Sequence, residues 1–429
     1  MLFGILISFF ILTVFVVGIW KFAFFKINGI PKYVIHTTLI AKVLAGLFFW
    51  WIYTHYYTDR SSADLYKYFD DAQALMVHSE GNNELRLQLF LPENERSADY
   101  QNLIEKSLHW DRGNETYLND NRTIIRIHFL ILYLSNGFFL LHNLIFCLFA
   151  FLGGIALLHF FMRFTTLPKL LLFGFVFFLP SMLLFSSAAL KESWLLFCLG
   201  FFLFFLGKAM QEKKLSHWSL SILFALLMIG VKPYILIALI PGILLFILNY
   251  NYPKKIASTF LGIHAIILVA TLLAFPDFIT ILSEKQAEFI QLAVENNANS
   301  YFPIQEFETT KEAFFALPEA MYNVWIRPIF SFFENPFAML AAIENLVLLL
   351  MLPLSIIYFR KPTKQALPLV LSALSFVIIL SCLIGLCVPV IGAIVRYKMP
   401  IYPFFIVVLF SFIDFNRLPL IRQINQKKL

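Results

Sequence analysis

Charged residues are scarce in this chain of 429 residues, where Asp, Glu, Lys and Arg together make up only 14%. Hydrophobic residues make up 60%, and 51 of the residues are phenylalanine. A soluble domain of this length has too little interior to bury so much apolar surface, so lipid must be the solvent for most of the chain. The composition therefore excludes a soluble enzyme or binding module and predicts a polytopic membrane protein.

Cysteine and histidine patterns that bind metals are also missing. The four cysteines all lie in apolar segments without a CxxC spacing, and the nine histidines form no HExxH motif. The cysteines therefore give no sign of a disulfide framework, and neither residue type suggests a zinc site of the common kinds. No motif calls for a cofactor, no metal-ligating residues are predicted, and a divalent metal ion held by carboxylates is the only cofactor left open.

Long apolar runs without period-2 alternation predict helices rather than a barrel, because backbone groups in lipid must bond within their own segment. We expect an all-α integral membrane protein in which residues 1–429 form a single transmembrane domain of about eleven spans, at roughly 20 residues each. The first run, Leu2 to Trp20, lacks a cleavage site and is expected to be a retained helix. Ser135, Asn136 and Gly137 predict a break between two helices.

The charges are distributed unevenly along the chain. Seventeen Lys and Arg residues follow alternate apolar runs, whereas 13 of the 26 acids lie between Asp59 and Asp120 and nine more between Asp277 and Glu334. The positive-inside rule then places residues 54–122 and 276–335 outside as two long loops with interfacial helices, and the C-terminus in the cytoplasm. Membrane topology explains the positions of the basic residues, so the net charge of +7 does not indicate nucleic-acid binding. We expect membrane lipids, and no nucleic acid, as partners.

One polar stretch, from Tyr56 to Met76, follows the second span. Interpreted as a helix, it places Asp64, Tyr68 and Asp71 along one stripe beside an apolar one, which is typical of an amphipathic helix on a membrane surface. Asp70 and Asp71 point to different sides of such a helix, so Asp70 is expected to face solvent. An alternative for Asp64 is a capping role at the start of this helix.

Other polar residues are expected to reach the same external face. Such a surface could deprotonate an acceptor and bind a lipid-linked phosphate. The residues in question are Asp64, Asp71, Lys191, Glu192, Lys232, Arg327, Glu334 and Arg396.

Three short motifs, DLYKYFDDAQAL, SSAALKES and RYKMPIYP, together with the polytopic pattern, resemble GT-C-type glycosyltransferases related to protein O-mannosyltransferases. The resemblance implies a polyprenyl-phosphate or polyprenyl-diphosphate sugar as donor and a site at the external face of the plasma (inner) membrane. It implies that Asp64 is the general base, with Asp71 or Asp70 as second choice. It also implies that Arg396 binds the donor phosphate with assistance from Lys191. From the same external face, Lys232 and Arg327 are further candidates for the donor phosphate, and Tyr68, Glu192 and Asp70 are expected to support the site. The chain departs from the pattern in that its acidic loop follows the second span and carries Asp70-Asp71 rather than Asp-Glu.

Three alternatives remain open. A polysaccharide (O-antigen-type) polymerase would use similar external cations. A lipid-linked oligosaccharide transporter or flippase would need polar groups at the midplane of the membrane. A non-enzymatic scaffold would need neither the cations nor the midplane groups. Only Lys42 and Glu344 are expected deep in spans, where a lone charge costs about 2.5 to 3.5 kcal/mol. We therefore expect Lys42 and Glu344 to pair with each other.

Overall fold

The computed structural model describes residues 2–57, 60, 63–91, 97–110, 119–250, 255–295, 297–298, 300–330 and 336–418, with the side chains of 336 and 337 excepted. Within these residues nearly all regular structure is helical, and the only strand pairing is two isolated bridges. The helices are α1 (Leu2–Lys21), α2 (Lys32–His55), α3 (Lys67–His78), α4 (Asn83–Gln88), α5 (Ala98–Ile104), α6 (Asp120–Ser135), α7 (Phe139–Phe164), α8 (Lys169–Phe178), α9 (Pro180–Phe185), α10 (Lys191–Glu212), α11 (Leu215–Ile229), α12 (Pro233–Asn249), α13 (Ile256–Ala274), α14 (Phe278–Glu295), α15 (Thr310–Trp325), α16 (Arg327–Phe330), α17 (Pro336–Ile357), α18 (Leu367–Cys387), α19 (Ile391–Tyr397) and α20 (Ile401–Ser411).

Seven helices in the described part of the chain are long and apolar enough to cross a membrane, and the bent pair α19–α20 makes eight if it is one span. The seven are α1, α2, α7, α10, α13, α17 and α18. Helices α8, α11 and α12 are apolar but have only 10, 15 and 17 residues. At about 1.5 Å per residue they are shorter than the hydrocarbon core. The protein is thus a helical multi-pass membrane protein, and the expected number of eleven spans stays a prediction.

The chain divides into two compact units. Unit 1 comprises residues 1–160 and 183–233, and unit 2 comprises residues 161–182 and 234–429. Each unit therefore combines segments that are distant in sequence.

In unit 1, α7 and α10 approach each other at a pair of glycines. A Cβ atom on Gly153 or Gly200 would overlap the backbone of the other helix. Small residues permit such contacts, which drive helix association in membranes where no hydrophobic force operates. Next to this contact, rings of Phe197, Phe201 and Phe224 pack α10 onto α11, with centroids 5.1 to 5.5 Å apart.

The amphipathic helix predicted within Tyr56 to Met76 is present as α3, but it begins at Lys67. Asp64 precedes it in a turn and forms an ion pair with Lys67, three residues later. Helix α3 packs against α6, and Tyr68, Phe69 and Asp71 are all buried. The helix is therefore embedded in unit 1 on more than one face.

The break predicted at Ser135 to Gly137 is present between α6 and α7. Asn136 and Gly137 both adopt positive φ, of 46° and 80°. Asn and Gly tolerate this left-handed conformation better than other residues, so they end α6 and redirect the chain.

In unit 2, α18 packs against α15 and α20. Phe404 on α20 contacts Phe161 and Phe376, with ring centroids 5.3 and 4.6 Å apart. Helices α19 and α20 meet at an angle of 68° around residues 398–400. This bend places the RYKMPIYP motif at a break within an apolar segment.

Candidate functional site

Lys191, the first residue of α10, anchors a polar cluster in unit 1. Its ammonium donates to Asp120 Oδ2 at 2.5 Å and to Asn121 Oδ1 at 2.9 Å. Asp120 and Asn121 begin α6, where the Asn119 side chain caps the helix by accepting from two backbone N–H groups. The cap fixes where the α6 helix starts and so fixes the position of the Lys191 acceptors.

Tyr68 links Lys191 to the first residues of α3. The Tyr68 ring centroid lies 4.9 Å from Lys191 Nζ and 5.1 Å from Lys67 Nζ, both within the range of cation–π attraction. Lys67 is paired with Asp64, and Asp64 is close enough to Lys191 to interact electrostatically with it. We call this set the lysine–carboxylate cluster: Asp64, Lys67, Tyr68, Asp120, Asn121 and Lys191.

The lysine–carboxylate cluster is partly open. The side chains of Asp64 and Asp120 are 28% and 42% exposed, whereas that of Lys191 is 12% exposed. Two ammonium groups thus lie near one phenol ring, and each of them is paired with a carboxylate. An ammonium group can exchange a carboxylate for a phosphate, and a carboxylate so released can accept a proton.

Glu192 and Lys232 form a buried ion pair beside this cluster. Lys232 Nζ lies 3.1 Å from Glu192 Oε1, and the side chains are 5% and 0% exposed. Thr123 Oγ1 donates to the carbonyl of Gly230 at 2.6 Å, which ties the turn that carries Lys232 to α6. The contact of Lys232 with Glu192 ties the same turn to α10, and the predicted role of Lys232 in binding donor phosphate stays a prediction.

Asp71 and Asp70 have different surroundings. Asp71 is buried, and its carboxylate accepts from the backbone N–H groups of Leu108 and His109 at 2.9 and 2.7 Å. Asp70 forms a two-pronged ion pair with Arg60 at 2.8 and 2.6 Å, partly exposed as expected. This hydrogen bonding raises the pKa of Arg60 above its usual value. Asp71 therefore holds the loop at Leu108 and His109 in place, and its role as second choice for the base stays a prediction.

Arg327 and Arg396 belong to unit 2. Arg327 Nε donates to Asn323 Oδ1 at 2.8 Å, and its guanidinium lies 4.2 Å from the ring centroid of Phe302. Arg396 is half-buried in the last turn of α19. Asp59 and Glu334 lie outside the described residues.

Two charged residues of the cluster, Lys67 and Asp120, were not predicted as site residues. Lys67 lies inside the motif DLYKYFDDAQAL, and Asp120 follows a helix cap, so both had a local signal. No local sequence signal shows that these two residues converge with Lys191, because the convergence depends on the packing of α3, α6 and α10.

Lys398 was also missed, although it lies inside the motif RYKMPIYP. It is fully buried at the break between α19 and α20, and its ammonium donates to Val324 O at 3.1 Å and to Asn345 Oδ1. Glu344, the neighbour of Asn345 on α17, lies within electrostatic reach of Lys398. The RYKMPIYP motif therefore carries a buried cation as well as the predicted Arg396.

The expected pairing of Lys42 with Glu344 is replaced by partners within each unit. Lys42 Nζ donates to Ser186 O at 3.0 Å, to Ser186 Oγ at 2.7 Å and to Ser187 Oγ at 3.1 Å. Glu344 Oε2 accepts from the backbone N–H of Ser181 at 2.8 Å. The physical reason is that Ser186 and Ser187 lie outside the helices, so their carbonyl and hydroxyl oxygens offer the buried Lys42 several acceptors at once.

Within the described residues, no three His, Cys, Asp or Glu side chains converge as a metal site would require. In the lysine–carboxylate cluster, Asp64 and Asp120 are each paired with a lysine. A divalent cation would have to displace those ammonium groups, so the cluster as arranged does not fit one. Comparisons with family models, with curated proteins and with solved structures found no match.

Proposed function

We propose that this protein is a GT-C-like membrane glycosyltransferase that moves a sugar from a polyprenyl-(di)phosphate donor to an envelope glycan or lipid acceptor. The observation that supports this most is the lysine–carboxylate cluster, in which Asp64 lies within electrostatic reach of Lys191 and the Lys191 ammonium lies 4.9 Å from the ring centroid of Tyr68. The reaction needs a base for the acceptor and cations for the leaving phosphate, and this cluster offers both in a partly open position.

In the proposed reaction, the Asp64 carboxylate takes the proton of an acceptor hydroxyl as that oxygen attacks the anomeric carbon of the donor sugar. The bond from the anomeric carbon to the phosphate oxygen breaks, and the phosphate leaves with the bonding electrons. Lys191 and Lys67 stabilise its negative charge by exchanging a carboxylate for a phosphate oxygen. Arg327 and Arg396 of unit 2 stay further candidates for donor phosphate.

The same proposal includes the topology. Eleven spans in a plasma (inner) membrane would place residues 54–122 and 276–335 outside and the C-terminus in the cytoplasm. The acids concentrated in the two long segments and the basic residues after alternate apolar runs support this orientation. The lysine–carboxylate cluster would then face the external side, where polyprenyl-linked donors would be used.

The test is mass spectrometry of lipids that copurify with the detergent-extracted protein. We expect the wild type and Asp64→Asn to retain a polyprenyl-phosphate sugar, and Lys191→Gln to lose it. Lys285→Gln, at an exposed lysine that pairs with Glu288 on α14, is the matched control and should retain the lipid. Turnover of the retained donor should be lost in Asp64→Asn. Bulk phospholipid alone in every sample would refute the proposal.

A second candidate function is transport of a lipid-linked oligosaccharide. The break between α19 and α20, with Lys398 buried at the bend, is the observation that favours it, because transporters place broken helices and charges within the membrane. Movement of a labelled lipid-linked glycan across sealed vesicles, undiminished by Asp64→Asn, would support transport over transfer. A polymerase would be recognised by its acceptor, which would itself be lipid-linked.

A further inference from the structure

Arg126, on α6 in unit 1, is a half-buried cation without a carboxylate partner among the described residues. Its Nε atom donates to Leu89 O at 2.6 Å, and its guanidinium lies 5.2 Å from the ring centroid of Trp110. A guanidinium has five N–H donors, and these contacts use one of them. The side chain is therefore fixed in position while most of its donors stay available.

The terminal nitrogens of Arg126 are accessible. In the described part of the chain, the buried side-chain nitrogens and oxygens that lack a hydrogen-bond partner include neither Nη1 nor Nη2 of Arg126. Since both atoms lack a partner and neither is buried, a ligand can reach them.

Arg86, on α4, is arranged in a similar way. Its Nε atom donates to Ser79 Oγ at 3.2 Å, and its Nη2 atom donates to Met76 O at 3.3 Å. No described carboxylate forms an ion pair with it either. Helices α4 and α6 thus each carry one positive charge that is not balanced by an ion pair.

An exposed apolar surface continues from Arg126 along α6. Leu130, Tyr133 and Leu134 follow Arg126 at i+4, i+7 and i+8, which is the spacing of one helix face, and they are 55%, 57% and 52% exposed. The Arg86 guanidinium lies 5.8 Å from the ring centroid of Tyr133, so the second cation borders the same surface. We call this set the arginine–apolar face: Arg86, Arg126, Leu130, Tyr133 and Leu134.

We propose that the arginine–apolar face binds the headgroup of an anionic membrane lipid. The terminal nitrogens of Arg126 donate to two oxygens of the lipid phosphate, because the fork of a guanidinium matches the geometry of a phosphate. The acyl chains lie along Leu130 and Leu134, and Arg86 adds positive charge at the edge of the site. This inference does not rest on the proposed glycosyl transfer.

The charge and the apolar residues together select this class of ligand. Arginines without a counter-charge attract a headgroup whose phosphate is not balanced by an attached ammonium, so phosphatidylglycerol should bind more tightly than phosphatidylcholine. The exposed leucines offer nothing to a free phosphate ion, whereas they bury surface against acyl chains. Helix α6 is not one of the seven candidate spans, and an amphipathic helix at the membrane interface holds cations at headgroup level beside apolar residues in the acyl region.

The experiment is native mass spectrometry of the full chain in detergent, titrated separately with phosphatidylglycerol, phosphatidylcholine and inorganic phosphate. Arg126→Gln should bind the first phosphatidylglycerol about tenfold more weakly than the wild type, which is the effect of losing one charge-assisted hydrogen bond. Its affinity for phosphatidylcholine should be unchanged. Arg417→Gln is the matched control and should bind as the wild type does, because Arg417 is exposed and already paired with Asp414.

A second variant tests the apolar part of the site. Leu130→Gln changes an exposed residue and leaves both arginines in place, so the fold should be retained and phosphatidylglycerol should bind more weakly. Circular dichroism of each variant would report whether the helices are kept. If Arg126→Gln fails to fold, Leu130→Gln decides the question.

Four results would overturn the proposal. They are equal affinities of the wild type for the two lipids, unchanged phosphatidylglycerol binding in folded Arg126→Gln, unchanged binding in Leu130→Gln, and displacement of the lipid by inorganic phosphate, which would indicate a site for a free anion. Lipid affinity is measured without a sugar donor or an acceptor. Failure of this site is therefore distinguishable from failure of the proposed function.

Discussion

The buried ion pair between Glu192 and Lys232 provides the most direct test of how unit 1 holds its polar cluster. We expect Glu192→Gln and Lys232→Met each to destabilise the protein strongly. The side chains are 0% and 5% exposed and the charged atoms lie 3.1 Å apart. At an effective dielectric constant of about 20, two unit charges at that distance attract by about 5 kcal/mol.

Removal of one partner also leaves the other charge buried, and such changes cost about 3 to 5 kcal/mol in proteins. Glu192 and Lys232 have further interactions, so removing either affects more than the pair. The double variant leaves no uncompensated charge. We therefore expect it to be more stable than the sum of the two single effects predicts, with a coupling of about 0.5 to 3 kcal/mol.

The assay is equilibrium unfolding in detergent micelles, followed by circular dichroism. The exposed pair of Lys285 and Glu288, whose side chains are each 44% exposed, is the matched control. Glu288→Gln should cost less than about 1 kcal/mol. If Glu192→Gln cost no more than Glu288→Gln, or if the two changes at Glu192 and Lys232 were additive, the reasoning would be refuted.

Three further predictions concern single contacts. Gly200→Ala should lower the unfolding free energy by about 1 to 3 kcal/mol, because the new methyl group meets the backbone of α7, and a denaturant titration would measure it. Asp71→Ala should destabilise unit 1 by about 2 kcal/mol or more through two lost backbone hydrogen bonds, whereas Asp70→Ala, at a partly exposed pair, should change stability little by the same titration. Backbone hydrogen bonds hold the pKa of Glu312 below its ordinary value of 4.5, so its contribution to the α15 cap is present above that pH and is lost as the pH falls through the lowered value. Hydrogen exchange in the first turn of α15 should accelerate over that range, and equal acceleration in Glu312→Gln would contradict the assignment.

The helical membrane class could be predicted from the sequence because lipid leaves an apolar run few alternatives. The turn at Asn136 and Gly137 was likewise a local property of two residues. The start of α3 was placed too early, since residues before Lys67 fit a helical pattern but the ion pair from Asp64 forms in a turn. Local patterns thus located the elements better than their ends.

The partners of the charged residues could not be predicted. Asp71 looked like a surface acid because the loop at Leu108 and His109, which supplies its donors, has no periodicity of its own. Lys191 was singled out as a phosphate ligand, while Asp120, its contact in the structure, was not. Such pairings depend on which helices pack together, and single charges along a sequence carry no information about that.

The contact of Lys42 with Ser186 and Ser187 has a consequence for biogenesis. Lys42 is in the second helix, and its acceptors follow 144 and 145 residues later in the chain. During synthesis, α2 therefore enters the membrane long before its ammonium has a partner, at a cost of about 2.5 to 3.5 kcal/mol. The helix α2 can therefore reach its final position in the membrane only after the segment that follows α9 has been synthesised. A chain truncated before Ser186 should leave α2 poorly inserted, so the correct placement of an early helix depends on a turn made much later.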